Sequence, residues 1–192
     1  MSPAVHAQPD GNGDTDNGAA FVSRVSMTDS LDADDLQGGL SEQEKRGNVV
    51  RLAFDGRTDQ LDAFCRAIDD VIPPGTIVVL RGSAVTGQRW KDKAPFDADG
   101  PGTSDLDLTL VGSGCLLFFK PSGFFLPGVH SRPLSKDDPD IAPDLVPLRE
   151  RLMAIVRRPV NIQASREMVL YLRGEVLGQP YLVMIDKKAD EA

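Results

Sequence analysis

The sequence predicts an α/β (α+β) domain in which helices back one small sheet, and three stretches predict it. In residues 60–72, Leu61, Phe64, Cys65, Ile68 and Ile72 recur three and four apart, the period of an amphipathic helix. Thr76-Ile77-Val78-Val79-Leu80 is a short apolar, β-branched run that suits a buried strand. Asp105 to Val111 alternates Asp-Leu-Asp-Leu-Thr-Leu-Val, which predicts a strand with one polar and one apolar face.

The remaining elements follow in order. Thr58 or Asp59 is the expected N-cap of the first helix, and Pro73-Pro74 its stop. Residues 88–104 are polar and rich in Gly, Pro and Asp, the composition of a loop. Leu116 to Lys120 reads as a further strand, and 121–143, with its prolines and glycines, as an irregular or mobile loop. Asp144–Arg157 predicts a helix with Leu145, Leu148, Leu152 and Ile155 inward, and Pro159 to Gln163 a strand. Ser165 is the expected cap of a last helix over Arg166–Leu177, with Glu167 and Glu175 on its outer face.

Composition bounds the function. The chain has 192 residues, 41% hydrophobic and 26% charged, enough for a real core. Its net charge of -8 argues against a broad basic surface for long nucleic acids but leaves room for a local basic pocket. The charge is uneven: residues 1–46 hold nine acidic and three basic side chains. This stretch, rich in Gly, Asp, Asn and Ser, has no sustained period, so 1–46 is expected to be a disordered acidic tail. A short helix around Ser30–Leu36 is its one helical feature, and 47–192 is expected to be the folded domain. There is no apolar run long enough to span a membrane, and without a basic stretch followed by an apolar one at the N-terminus no secretory leader is expected. Cys65 and Cys115 lack metal-ligand spacing and read as buried thiols, so the expected compartment is the cytoplasm.

Three features converge on phosphate chemistry. The run 76–80 leads into Arg81-Gly82-Ser83, where a glycine permits close backbone approach and a hydroxyl with neighbouring amides can hold phosphate oxygens. Asp105 and Asp107 share one strand face with Cα atoms about 6.6 Å apart, and paired carboxylates of this kind suit Mg²⁺. Arg81, Arg89, Lys91 and Lys93 add local positive charge to an acidic chain. Trp90, the only tryptophan, reads either as a cap on the core or as a platform for a base. His130 reads as a surface histidine in the Pro/Gly-rich loop, and His6 carries no assignment.

Leu80-Arg81-Gly82-Ser83 followed by Ser104-Asp105-Leu106-Asp107-Leu108 resembles the signature of the nucleotidyltransferase superfamily that includes DNA polymerase β. The chain looks most like the small, stand-alone bacterial nucleotidyltransferase-domain proteins, over about residues 58–180. The resemblance implies a mixed sheet packed by helices, two Mg²⁺ (or Mn²⁺) ions, and transfer of a nucleoside monophosphate from an NTP, ATP by expectation, with release of pyrophosphate. It implies that Gly82 and Ser83 contact the nucleotide phosphates, with Arg81 or Lys91 offsetting their charge, and that Asp105 and Asp107 bind the metals and are catalytic.

Two departures from the family pattern stand out. Ser83 to Asp105 spans 22 positions, more than the family's usual spacer, so Gln88 to Thr103 reads as an inserted loop beside the site. The family often supplies a third carboxylate between apolar residues on a later strand; the matching place is Val160-Asn161-Ile162, where Asn161 stands. Asparagine ligates Mg²⁺ more weakly and cannot act as a general base; Glu167 or Asp186 is a candidate substitute, though no spacing selects either. The alternative is a non-catalytic nucleotide-binding or interaction module, such as the antitoxin-like partner of a toxin-type pair. The acceptor is not legible, and with no separate acceptor domain a partner protein or a second copy would supply that surface.

Other chemistries fail on spacing. Asp97-Ala98-Asp99-Gly100 lacks the glycine and glutamate positions of an EF-hand loop. No Gly-x-x-x-x-Gly-Lys-Ser/Thr occurs, and two histidines far apart do not make a zinc hydrolase.

Overall fold

A computed structural model describes residues 39–189, and the expected helix around Ser30–Leu36 lies outside them. The first helix, α1 (Glu42–Ala53), begins inside the stretch expected to be tail. A capping box starts it: Ser41 Oγ accepts from the Glu44 N–H at 3.3 Å, and Glu44 Oε2 accepts from the Ser41 N–H at 2.9 Å. Val49, Ala53 and the C-capping Phe54 are buried, so ordered chain reaches at least to Ser41, not 47. The polar surface of α1, EQEKRGN, hides its sparse apolar stripe from a composition-based reading.

In α2 (Thr58–Asp69) the predicted apolar positions Leu61, Phe64 and Ile68 are buried, and Phe64 packs edge-to-face on Phe54 with centroids 5.3 Å apart. Arg57, not Thr58 or Asp59, occupies the N-cap, without a side-chain bond. After β1 (Thr76–Arg81) the chain turns through Gly82 into the one-turn α3 (Ser83–Thr86). The next strand is β2 (Leu106–Val111). Its polar face divides: Asp107 is only partly buried, whereas Thr109 and Val111 farther along are buried.

Residues 114–118 correct the expectation of a strand over Leu116–Lys120. They form a 3₁₀ turn that sends Cys115 and Leu116 into the core and leaves Leu117 86% exposed. Gly112 and Gly114 around it end the extended period. Within 121–143 lie two short strands, β3 (Phe124–Leu126) and β4 (His130–Ser131). A 3₁₀ turn leads into α4 (Val146–Val156), which buries Leu148 and Leu152, while Ile155 is only partly buried. Then comes β5 (Val160–Ser165), whose last residue is Ser165. Ser165 therefore caps nothing, and its hydroxyl donates to its neighbour's carbonyl, Arg166 O. The expected last helix is short, α5 (Glu167–Tyr171), and continues as a π-helical turn, Leu172–Val176. A final strand, β6 (Tyr181–Lys187), follows the Gly178–Pro180 turn.

The sheet is mixed, with order β3-β4-β5-β2-β1-β6. β2 lies antiparallel to β1 and parallel to β5. Alternate residues divide its faces. Leu80, Leu106, Leu108, Leu110, Val160 and Ile162 belong to the apolar core that α1, α2 and α4 close. The opposite face carries Arg81, Asp107, Asn161 and Gln163. A helix-backed mixed sheet agrees with the expected fold class. Cys65 and Cys115 are free thiols, and no helix of the described residues is long and apolar enough to cross a membrane.

Candidate functional site

The site begins with strand register. β1 pairs Arg81 with Asp107 of β2, and β2 pairs Asp107 with Asn161 of β5. Three polar side chains from three strands therefore stand in one row on the same sheet face. Gly82 directly follows Arg81, at φ 86°, a backbone region that L side chains rarely adopt. A Cβ there would lie 3.4 Å from Asp107 Oδ2, so the bend and the carboxylate are in contact range.

Asp105 and Asp107 are clasped by one amide. Asn161 Nδ2 donates to Asp105 Oδ2 at 2.6 Å and to Asp107 Oδ1 at 3.0 Å. Burial, and then the charge of Asp105, push the Asp107 carboxyl above its ordinary value, with Asn161, Arg81 and Arg173 pulling the other way. Two carboxylates held this close call for positive charge between them, and the Asn161 N–H group marks the point. Turned over, the same amide would offer Oδ1 there. Asp105, Asp107 and that oxygen would then form an oxygen-only donor set of the kind Mg²⁺ takes, commonly one or two carboxylates plus substrate phosphates. No group of three or more His, Cys, Asp or Glu side chains able to hold a metal occurs among the described residues.

The acidic pair opens into a cleft of about 1000 Å³ that also receives Gly82, Ser83, Lys91 and Asn161. The structure thus brings together every expected site residue except Arg81, whose side chain lies on the other side of Gly82 in an adjoining smaller cavity. Glu167 and Asp186 line neither cavity; Asp186 sits on β6 opposite Ile77. The carboxylates that do reach the cleft are Asp99, ion-paired to Arg89 at 2.6 Å, and Asp137, which makes no side-chain bond among the described residues.

The loop 88–104 forms one wall and is firmly tied. Asp97 accepts from the N–H groups of Gly102 and Ser104, each at 2.9 Å, and pairs with Arg158 at 3.0 Å. Arg158, only 7% exposed, also stacks on Phe96 at 4.6 Å. Trp90 is 57% exposed at the cleft rim, with Lys93 Nζ 4.6 Å from its ring, so it does not cap the core.

Cationic groups that the sequence reading passed over gather here as well: Lys136, Arg149 and Arg157 line the cleft, and Arg173 lines the smaller cavity. Arg157 and Arg158 end a helix directly before a strand carrying Asn161, a placement that would have pointed to them. His130 is half-buried in β4 rather than on the surface, lowered from its ordinary value first by burial and then by Arg173 and Arg81. No family model, curated protein or solved structure matches the chain, so its own residues carry the functional argument.

Proposed function

We propose that the chain is a nucleotidyltransferase that moves a nucleoside monophosphate from an NTP, ATP by expectation, to an acceptor hydroxyl. The observation that carries this reading is the contact between the Gly82 bend and the Asp107 carboxylate, with Asp105 beside it. A phosphate-cradling turn and a cation-seeking acidic pair at one point are what nucleotide transfer asks of a protein, since positioning and charge neutralisation supply most of that catalysis.

In this reading the triphosphate lies in the large cleft. The backbone at Gly82, the Ser83 hydroxyl and Lys91 hold its oxygens, and exposed Trp90 at the rim offers a face to the base. Arg81 faces the smaller cavity, so Lys91 rather than Arg81 meets the phosphates. Asp105, Asp107 and Asn161 would hold Mg²⁺, which when bound neutralises phosphate charge and acidifies the attacking hydroxyl. The acceptor oxygen forms a bond to the α-phosphorus as the bond to the bridging oxygen breaks. Pyrophosphate leaves with that electron pair, and the hydroxyl proton passes to water and on to Asp137, a cleft-wall carboxylate with no side-chain bond among the described residues.

A second reading has its own observation. Asn161 replaces an acid with an amide that already satisfies both aspartates, as a non-catalytic nucleotide-binding module would. Calorimetric titration with ATP and Mg²⁺, run beside transfer assays with α-labelled NTPs and an extract of the source cell, separates the two. Labelled product that disappears in Asp107→Ala supports the enzyme; binding without product supports the module; neither binding nor product discards both.

A further inference from the structure

Across Gly82 and Asp107 from the large cleft lies the second cavity, of about 280 Å³. Its ionisable walls among the described residues are Arg81, Arg173 and the shared Asp107. Two guanidinium groups thus face one carboxylate that already accepts a hydrogen bond from Asn161. Their direct partners are neutral. Arg81 Nη2 donates to Gln163 Oε1 at 3.2 Å, and Arg173 Nε donates to Gln179 Oε1 at 3.0 Å. Arg81 Nε is buried with no hydrogen-bond partner among the described residues.

Two other part-buried arginines find a carboxylate, whereas Arg149 donates Nε to the Val160 carbonyl at 2.6 Å. Arg158 has Asp97, and Arg132 meets both oxygens of Asp138 at 2.7 Å. The Arg81–Arg173 pair has no such ion pair among the described residues: two glutamines fix the forks without neutralising them. A planar fork held in place by neutral amides is preorganised for an oxyanion. The placement of Arg173 is also specific. It sits in the π-helical turn Leu172–Val176, a distortion that recurs at functional sites. The next residue, Gly174, lies so near Tyr181 that a Cβ would come within 2.8 Å of the ring, and Tyr181 is the strand partner of Arg81. The contact seats Arg173 beside Arg81.

We propose that this cavity binds the anionic group, phosphate or carboxylate, of the acceptor, so that the acceptor is a small hydroxylated anion rather than a nucleic acid or a protein. The inference rests on the nucleotidyltransferase reading. In-line displacement sets the attacking and leaving oxygens on opposite sides of the phosphorus, and the two cavities meet at Asp107 and Gly82. The larger has room for an NTP. The smaller falls just below the usual range for small-molecule sites, roughly 300–1000 Å³, and suits a compact partner.

The test uses the full chain with ¹⁵N-labelled arginine, in chelator, followed through its Nε–H resonances. The probes are glycerol 3-phosphate, D-glycerate, inorganic phosphate and, as the neutral control, glycerol. A saturable shift of the Arg81 and Arg173 signals with glycerol 3-phosphate or D-glycerate, absent with glycerol and at least tenfold weaker in Arg173→Gln, supports the proposal. Phosphate and D-glycerate then show which oxyanion the forks prefer. Retention of binding in Arg173→Lys separates lost charge from lost structure, and the rest of the spectrum reports folding in each variant. Shifts absent with all three anions, or unchanged by Arg173→Gln, overturn it. A final arm adds ATP and Mg²⁺ to the anion-saturated protein. Joint occupancy supports an acceptor site, whereas displacement of the anion from Arg81 and Arg173 overturns it in favour of a nucleotide phosphate site. Anion binding beside a failure to bind ATP would instead remove the nucleotide reading and with it the acceptor assignment.

Discussion

Asn161 Nδ2 stands 3.0 Å from Asp107 Oδ1, held there by the parallel register that pairs the two residues across β2 and β5. The amide does for the carboxylate pair what a cation would do, so replacing it should expose their repulsion. Asn161→Asp is expected to lower the melting temperature in chelator, because three carboxylates would share one point on the sheet. Added Mg²⁺ should restore it, by linkage, more than it stabilises the wild type. Thermal melts of both proteins with and without Mg²⁺ check this; equal responses to the ion would discard a metal site at these residues.

Asp107 itself yields a pH prediction. Burial first and the Asp105 charge second raise its folded carboxyl above the ordinary value. The folded state therefore holds the proton more tightly than the unfolded state, and stability declines as pH climbs from the unfolded value through the folded one. Asp107→Asn should remove that decline and raise the melting temperature at neutral pH by a few degrees. The same variant should lose nucleotidyl transfer. A more stable protein without activity is the expected pair of results from melts and labelled transfer.

The inserted loop makes a separate claim. Arg158 reaches Asp97, Ser104 O and Leu52 O, so one side chain ties the loop to the end of α1. Breaking a part-buried pair of this kind costs about 2 kcal/mol, between the values for exposed and fully buried pairs. Arg158→Ala is expected to lose about that much in denaturant unfolding and to weaken ATP binding by releasing the cleft wall. Burial works against the Asp97 charge, but bonds from Gly102, Ser104 and Arg158 hold its carboxyl below the usual value. That contribution is complete above the unfolded value and fades as pH falls through the folded one, so the wild type and the variant should converge in acid.

Gly82 gives the most local prediction. Its positive φ and its approach to Asp107 both oppose a side chain. Gly82→Ala should destabilise the chain by about 1 kcal/mol and reduce transfer far more than that loss of stability explains. Transfer measured well below the melting point separates the two effects.

How far the sequence carried these conclusions varied with how local the signal was. The Gly82-Ser83 bend and the Asp105–Asp107 pair were legible because a tight turn and a two-residue spacing are written in adjacent letters. That Asn161 would meet both aspartates was legible only as a position, since its hydrogen bonds depend on a strand register between residues 54 positions apart. Arg173 and Gln163 were missed for the same reason: a helix-ending arginine and a strand glutamine have no spacing that links them to Arg81. Leu116–Lys120 misled because short apolar runs suit a 3₁₀ turn and a strand equally well, and Gly112 and Gly114 decided between them. α1 escaped notice because its charge matches that of the acidic stretch before it, although Ser41 and Glu44 spell its start. β6 was overlooked although Tyr-Leu-Val-Met-Ile after Gly178 and Pro180 is a strand-like run.

The pairing of β6 with β1 has a consequence for how the protein is made. β1, which bears Arg81, lies next to the sheet edge, and its second neighbour is β6, Tyr181–Lys187. During synthesis that side of β1 cannot be sealed until β6 has left the ribosome, about a hundred residues after β1. Until then β1 is an open template for foreign strands. Nascent chains stalled before Tyr181 should therefore be protease-sensitive and prone to clumping, while those released past Lys187 should snap shut in one cooperative step.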